Sequence, residues 1–211
     1  MTTIDPQQQF ESIYRTQQPD GSPLAGAGWD IGGPQPMLVE LDRRGAITGT
    51  VLDAGCGTGD NALYLARQGY SVTGLDAAPA AIAHARTKAA QRGLTVGFAV
   101  ADARELSEYH DRFDTIIDSG LFHIFSDNDQ ARYLAALHSA GRDGARLHVL
   151  AISDAAPGTR GPRRLTETEM RAAFTDGWLL DDLQRVTMCG ALPGEPHRAD
   201  IPSWHASARR R

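Results

Sequence analysis

The sequence predicts a doubly wound α/β fold: a mostly parallel seven-stranded sheet with an antiparallel C-terminal edge hairpin and an N-terminal helical lid. Three observations carry this expectation. Short apolar runs of strand length alternate with helical patterns from residue 50 to residue 152. The first of these runs enters a glycine-rich turn, Val51-Leu-Asp-Ala-Gly-Cys-Gly-Thr-Gly59, that opens a helix. Acids then stand at the ends of successive strands, at Asp76 and Asp102, with Asp118 closing the next. At 211 residues and 22.7 kDa the chain suits one domain, with 1–45 as cap and 46–211 as core. A domain of that size buries roughly 70% of its unfolded surface and needs no staples.

The elements follow in order. Asp5-Pro6 supplies an N-cap and a proline at the first helical position, and the short helix it starts carries Phe10, Ile13 and Tyr14 on one side. Residues 17–36, rich in Gln, Pro and Gly, read as a loop ending in Trp29-Asp-Ile-Gly-Gly-Pro-Gln-Pro36, followed by a helix over 37–45. Strand 50–54, helix 58–68, strand 71–75, helix 79–92, strands 95–100 and 113–118, helix 127–140 and strand 144–152 then alternate as parallel units do. After a loop at 153–163, Thr166-Glu-Thr-Glu-Met-Arg-Ala-Ala-Phe174 predicts a capped short helix. Strands near 178–188 and 201–209 form the closing hairpin.

Glycines at 55, 57 and 59 strip Cβ atoms from one side of the turn, so a ligand can lie against backbone N–H groups at the positive end of the next helix. The spacing opposes a nicotinamide dinucleotide, whose G-x-G-x-x-G needs a glycine where Asp60 stands. Asp76, about 20 residues past the turn, is placed to accept ribose hydroxyls.

With Asp53 in front, D-x-G-x-G-x-G resembles motif I of the class I S-adenosylmethionine-dependent methyltransferases, whose fold is Rossmann-like. That resemblance implies S-adenosyl-L-methionine as cofactor, held by Asp53, Gly55, Gly57, Asp76 with Ala77, and Asp102 with Ala103, where Asp102 reads the adenine amino group. Asp53 either meets the methionine ammonium through water or braces the glycine loop. The family places the segment after strand four, Ser119-Gly-Leu-Phe-His123, beside the reacting methyl. His123 is the candidate base, since imidazole titrates near neutrality, or else a packed helix residue. Asp118 is a second base candidate that could instead fix the loop or touch the cofactor's amino group.

Trp29-Asp-Ile-Gly-Gly-Pro-Gln-Pro36 taken with Asp118-Ser-Gly-Leu-Phe-His123 resembles the thiopurine S-methyltransferase-like branch, and within it the mycobacterial methyltransferases of heterocyclic toxins. Gly33 stands where that branch usually has Arg. The branch places Trp29 against the sulfonium, a cation–π contact; burial as a loop anchor is the other reading. Tyr14 and Phe122, with His123, are the candidate walls of an aromatic acceptor pocket. The implied reaction is O- or N-methylation of a hydroxyquinolone-type or phenolic compound in detoxification or tailoring. The alternatives are a thiol, thiopurine or halide acceptor, and a non-catalytic protein that binds the cofactor.

Charge and composition set further expectations. A net charge of −5 with scattered Lys and Arg opposes a nucleic-acid groove, and Asp118-Ser-Gly-Leu121 is not the [DN]-P-P-[YF] cradle of a base methyltransferase. Two cysteines, Cys56 and Cys189, give neither a disulfide framework nor a metal spacing, so no metal is expected. The absence of a long apolar run or a leader at Met1 predicts a cytoplasmic protein with no membrane partner, a monomer or homodimer acting on a small molecule.

Overall fold

The computed structural model describes residues 6–15, 27–192 and 198–211. The expected cap at Asp5 and the first half of the 17–36 loop lie outside them. Seven strands form one sheet, β1 (Thr50–Ala54), β2 (Ser71–Asp76), β3 (Gly97–Val100), β4 (Phe113–Ser119), β5 (Gly141–Ile152), β6 (Trp178–Gly190) and β7 (Ala199–Arg210), in the order β3-β2-β1-β4-β5-β7-β6. The first five run parallel; β7 lies antiparallel between β5 and β6. The chain moves outward from β1 to β3, then crosses to β4 on the other flank of β1. That reversal opens a crevice above the carboxyl ends of β1 and β4, where doubly wound sheets bind ligands.

Helices α1 (Pro6–Arg15), α2 (Pro36–Arg43), α3 (Asp60–Arg67), α4 (Pro79–Arg92), α5 (Asp127–Ala140) and α6 (Glu167–Ala173) cover the sheet. Strand alternation gives each face its own core. Leu52, Ile116, Leu147 and Val149 pack with Tyr133 and Leu137 of α5 and Met170 of α6. Val51 and Ile117 on the opposite face pack with Leu38 and Leu41 of α2, Leu63 of α3 and Ile82 of α4. Thr166 and Glu169 form the expected capping box at α6. α1 rests on α4: Glu11 accepts the Ala80 N–H at 3.0 Å, and Tyr14 packs with Ala78 and Ala81.

Two boundaries depart from the sequence reading. Helix α3 starts at Asp60, two residues later than expected, because Gly57 and Gly59 hold φ of 53° and 84°, outside helical geometry. Strand β5 starts at Gly141, whose pairing with Phe113 jumps to Arg146 with Thr115; the intervening bulge uses Gly144 at φ 76°. No helix among the described residues is long and apolar enough to cross a membrane.

Candidate active site

The glycine turn is fixed from β2. Leu75 accepts the Gly55 and Cys56 N–H groups at 2.8 and 2.9 Å, and Asp76 Oδ2 accepts the Gly57 N–H at 2.9 Å. The glycines serve different ends. A Cβ at Gly59 would lie 2.7 Å from the Phe98 ring and 3.0 Å from Ala85, so this one lets α4 and β3 close on the turn. A Cβ at Gly57 would meet the Tyr14 hydroxyl at 2.9 Å, on the ligand side of the turn. Gly59→Ala is therefore expected to lower stability by about 1–3 kcal/mol, combining left-handed backbone strain with overpacking. Chemical denaturation measures it; a loss below about 0.5 kcal/mol would contradict the packing account.

The four acids divide by what they already hold. Asp53 is buried, with Oδ2 unpartnered beneath the turn, and burial pushes its carboxyl up to about 7, opposed by the Ala62 N–H. Asp76 spends one oxygen on Gly57 and the other on the Ala78 N–H at 2.9 Å, fixing two strand ends at once. Burial raises its carboxyl above the ordinary range, while those two N–H bonds oppose the rise. Asp102 is gripped by Arg104 through Nε and Nη2, and Arg104 also reaches Asp129. Ala77 is half-buried and Ala103 buried, and between the two acids Val100 is 50% exposed at the end of β3. An apolar shelf flanked by carboxylates suits a purine and its ribose, and Val100 was not among the expected residues.

Asp118 differs. Its oxygens accept the Leu121 N–H at 2.9 Å and the Tyr133 hydroxyl at 2.8 Å, and burial lifts its carboxyl to about 7. At 1% exposure it ties the segment after β4 to α5, the loop-fixing role that the sequence left open beside base and cofactor ligand.

The same segment corrects two acceptor-side expectations. Phe122 is 1% exposed and stacks on Phe174 with centroids 6.2 Å apart, tilted against Tyr133, so it belongs to the α5–α6 core and not to a pocket wall. His123 is buried, and its Nδ1 accepts the Ile152 N–H at 3.0 Å. The ring is thus the Nε2–H tautomer, and burial with the nearby Arg164 charge lowers it to about 4. Its basic lone pair is already used, so it can donate a bond but not take a proton at neutral pH.

The crevice is a cleft open to solvent, whose walls include Tyr14, Trp29, Asp30, Gln35, Ser119 and Met188. Trp29 donates from Nε1 to the Tyr14 hydroxyl at 3.0 Å and meets Phe10 edge-on, yet stays 40% exposed, leaving part of the indole free to face a ligand. Gln35, which sequence reasoning passed over, clips this wall to the β6 edge strand. Its Nε2 donates to the Cys189 carbonyl at 2.8 Å and its Oε1 accepts the Cys189 N–H at 3.0 Å, as a neighbouring strand would. The Pro-Gln-Pro spacing was the only local signal; the partner is 154 residues away.

Comparison with known proteins agrees with this geometry. Residues 51–144 match the family model of a methyltransferase domain. The chain is 43% identical over 180 residues to the 2-heptyl-1-hydroxyquinolin-4(1H)-one methyltransferase of Mycobacteroides abscessus, covering 84% of this chain and 79% of that one. It superposes with TM-score 0.87 and 40% identity on a chain solved in work on conversion of a disulfide bond into a thioacetal group during echinomycin biosynthesis, covering 98% and 93% of the two chains. A third similarity is to the 1,6-didemethyltoxoflavin-N1-methyltransferase of Burkholderia thailandensis, solved with 1,6-didemethyltoxoflavin and S-adenosylhomocysteine bound (TM-score 0.63, 27% identity, 83% and 76% covered). The residues present fit S-adenosylmethionine: a Cβ-free backbone cradle, an unpartnered buried carboxylate oxygen for the ammonium end, and an apolar shelf between acids for the adenosine. The chain belongs to the S-adenosylmethionine-dependent methyltransferases and is an enzyme with S-adenosyl-L-methionine as its cofactor.

Proposed function

We propose that this enzyme O-methylates a small heteroaromatic acceptor of the hydroxyquinolone type whose oxygen arrives already ionised. The observation that carries the reading is the state of the titratable groups around the cleft. His123 and Asp118 are engaged as described, Asp30 accepts the Gly32 N–H, and Asp60 is paired with Lys88 and Arg92. The Tyr14 phenol is pushed well above its ordinary value by burial and the Asp76 charge, so it stays protonated. Asp53, with its unpartnered oxygen, is assigned to the methionine ammonium, so among the described residues the site supports an acceptor that needs no base, and an N-hydroxy group conjugated to a ring carbonyl is acidic enough to be an anion near neutrality.

When bound, S-adenosylmethionine supplies the activated methyl group. The protein's part is alignment, which contributes up to about 7–11 kcal/mol in favourable systems. Asp76, Asp102 and the Val100 shelf would hold the adenosine, with Ala77 and Ala103 closing its edges. Gly55, Gly57 and Asp53 would hold the methionine end. Trp29 would face the sulfonium, an attraction of about 0.5–2 kcal/mol. Tyr14 and Met188 would bound the acceptor. The setting we infer is cytoplasmic, with residues 1–45 as cap on a single domain, no nucleic-acid or membrane partner, and a monomer or homodimer.

A sulfur acceptor is the second reading, favoured by the 40% identity to the chain from the thioacetal work. Purified enzyme with a panel of hydroxyquinolones, flavonols, phenols, azoles and thiols separates the two. We expect the N-hydroxyquinolone to lead in kcat/KM; a thiol ahead by tenfold or more would overturn the oxygen reading. With the leading acceptor, the pH profile should follow the acceptor's own ionisation, and His123→Gln should leave its position unchanged with kcat within about threefold. A loss of about a hundredfold, the scale of a removed general base, would restore His123 as base.

A further inference from the structure

We infer that Gly33 is a notch in the cleft wall that admits a substituent of the acceptor, and that the residue there sets the acceptor size the enzyme accepts. Gly33 is set apart from the other described glycines. The others either hold φ in the left-handed region or have atoms within 4 Å of where a Cβ would stand, as at Gly28, Gly74, Gly97, Gly141 and Gly190. Gly33 has neither: its φ lies outside the left-handed region, and nothing comes within 4 Å of its missing Cβ. Backbone geometry and packing thus place no demand for glycine here, and the residue lines the cleft beside Trp29, Ile31 and Gln35.

The wall around it is fixed on both sides, so the opening is not the slack of a loose loop. Before it, Asp30 Oδ1 accepts the Gly32 N–H at 3.1 Å, and Arg198 donates to the Ile31 and Asp30 carbonyls at 2.7 and 2.8 Å. After it, Gln35 is bound through its side chain to Cys189 and through its backbone N–H to Asn61 Oδ1 at 2.9 Å. A missing side chain in a pinned segment leaves a gap of constant shape. Trp29, Ile31 and Met188 are among the residues lining the same cleft and offer it apolar surface, which suits an alkyl chain or ring edge as the substituent. This rests on the proposed acceptor class, which it extends from a flat heteroaromatic to one bearing an apolar side group.

The test compares 2-methyl and 2-heptyl 1-hydroxyquinolin-4-ones, and thiophenol against 4-heptylthiophenol, with the unaltered enzyme, Gly33→Ala and Gly33→Leu. The heptyl-to-short ratio of kcat/KM is expected to fall about threefold in Gly33→Ala and at least tenfold in Gly33→Leu, mainly through KM, the discrimination that a few methylenes' worth of lost space produces. Calorimetric titration with S-adenosylhomocysteine reads the cofactor half separately. A ratio unchanged in Gly33→Leu, or a cofactor affinity that falls as far as the ratio does, overturns the notch. Turnover of thiols but not quinolones overturns the oxygen-acceptor reading alone, and the ratio is then read on the thiols. Turnover of neither pair overturns both.

Discussion

Asp76→Ala is expected to cut the affinity for S-adenosylhomocysteine by at least about a hundredfold while leaving the fold in place. An ionised carboxylate offers about four lone-pair directions, and two are spent on the Gly57 and Ala78 N–H groups at 2.9 Å. The remaining two would accept from a ribose diol at the end of β2. Hydrogen bonds to a charged group are worth about 1.5–3 kcal/mol each, so losing a pair costs about 3 kcal/mol or more, over two decades in Kd. The glycine turn keeps its anchors from Gly55 and Cys56 to Leu75, so a folded, weakly binding protein is expected. Calorimetry checks the affinity and thermal melting the fold. A loss below about fivefold would remove Asp76 from the cofactor site.

Lys88→Ala carries the largest expected cost to stability, about 3–5 kcal/mol. Lys88 is 3% exposed, and its Nζ donates to Asp60 Oδ2 at 2.7 Å and to Thr58 Oγ1 at 2.8 Å, joining α4 to the start of α3 just past the glycine turn. Removing the lysine leaves Asp60, itself 9% exposed, with two long contacts, the half-exposed Arg92 guanidinium and the Thr58 hydroxyl, each at 3.4 Å. A buried charge stripped of its partner costs this much, whereas replacing both members by uncharged residues costs far less. For a chain of this length the loss is a melting temperature lower by about 6–20 °C. The double variant Lys88→Met/Asp60→Asn should recover most of it. If the single and double variants melt together, the cluster is not a coupled pair.

The fold was legible because its signals are local. Alternation and the Thr166–Glu169 box place their elements within a residue or two. Glycine was the subtler cue: its clustering marked the turn, but only φ at Gly57 and Gly59 shows where α3 begins, and only Phe98 shows why Gly59 is needed. The strand-end acids were visible as a set, yet their division of labour was not. Asp118 looks like Asp76 in sequence and differs because Tyr133 on α5 claims it. His123 is the sharpest case: its proton-accepting nitrogen is occupied by the Ile152 N–H, a partner 29 residues on. Gln35 and the stacked pair His148 and His205, whose nitrogens approach to 3.2 Å, likewise depend on contacts made by the closing strands. Function at this cleft is set by tertiary hydrogen bonds, which leave no mark on local residue patterns.

The proposed reaction is methyl transfer to an ionised heteroaromatic oxygen. The measurement that meets it most directly is incubation of the enzyme with methyl-labelled S-adenosylmethionine and 2-heptyl-1-hydroxyquinolin-4(1H)-one, locating the label in the product by NMR. A labelled methyl on the N-oxide oxygen, formed only with active enzyme, is the result the proposal predicts. An unlabelled quinolone beside a rapidly methylated thiol would contradict it.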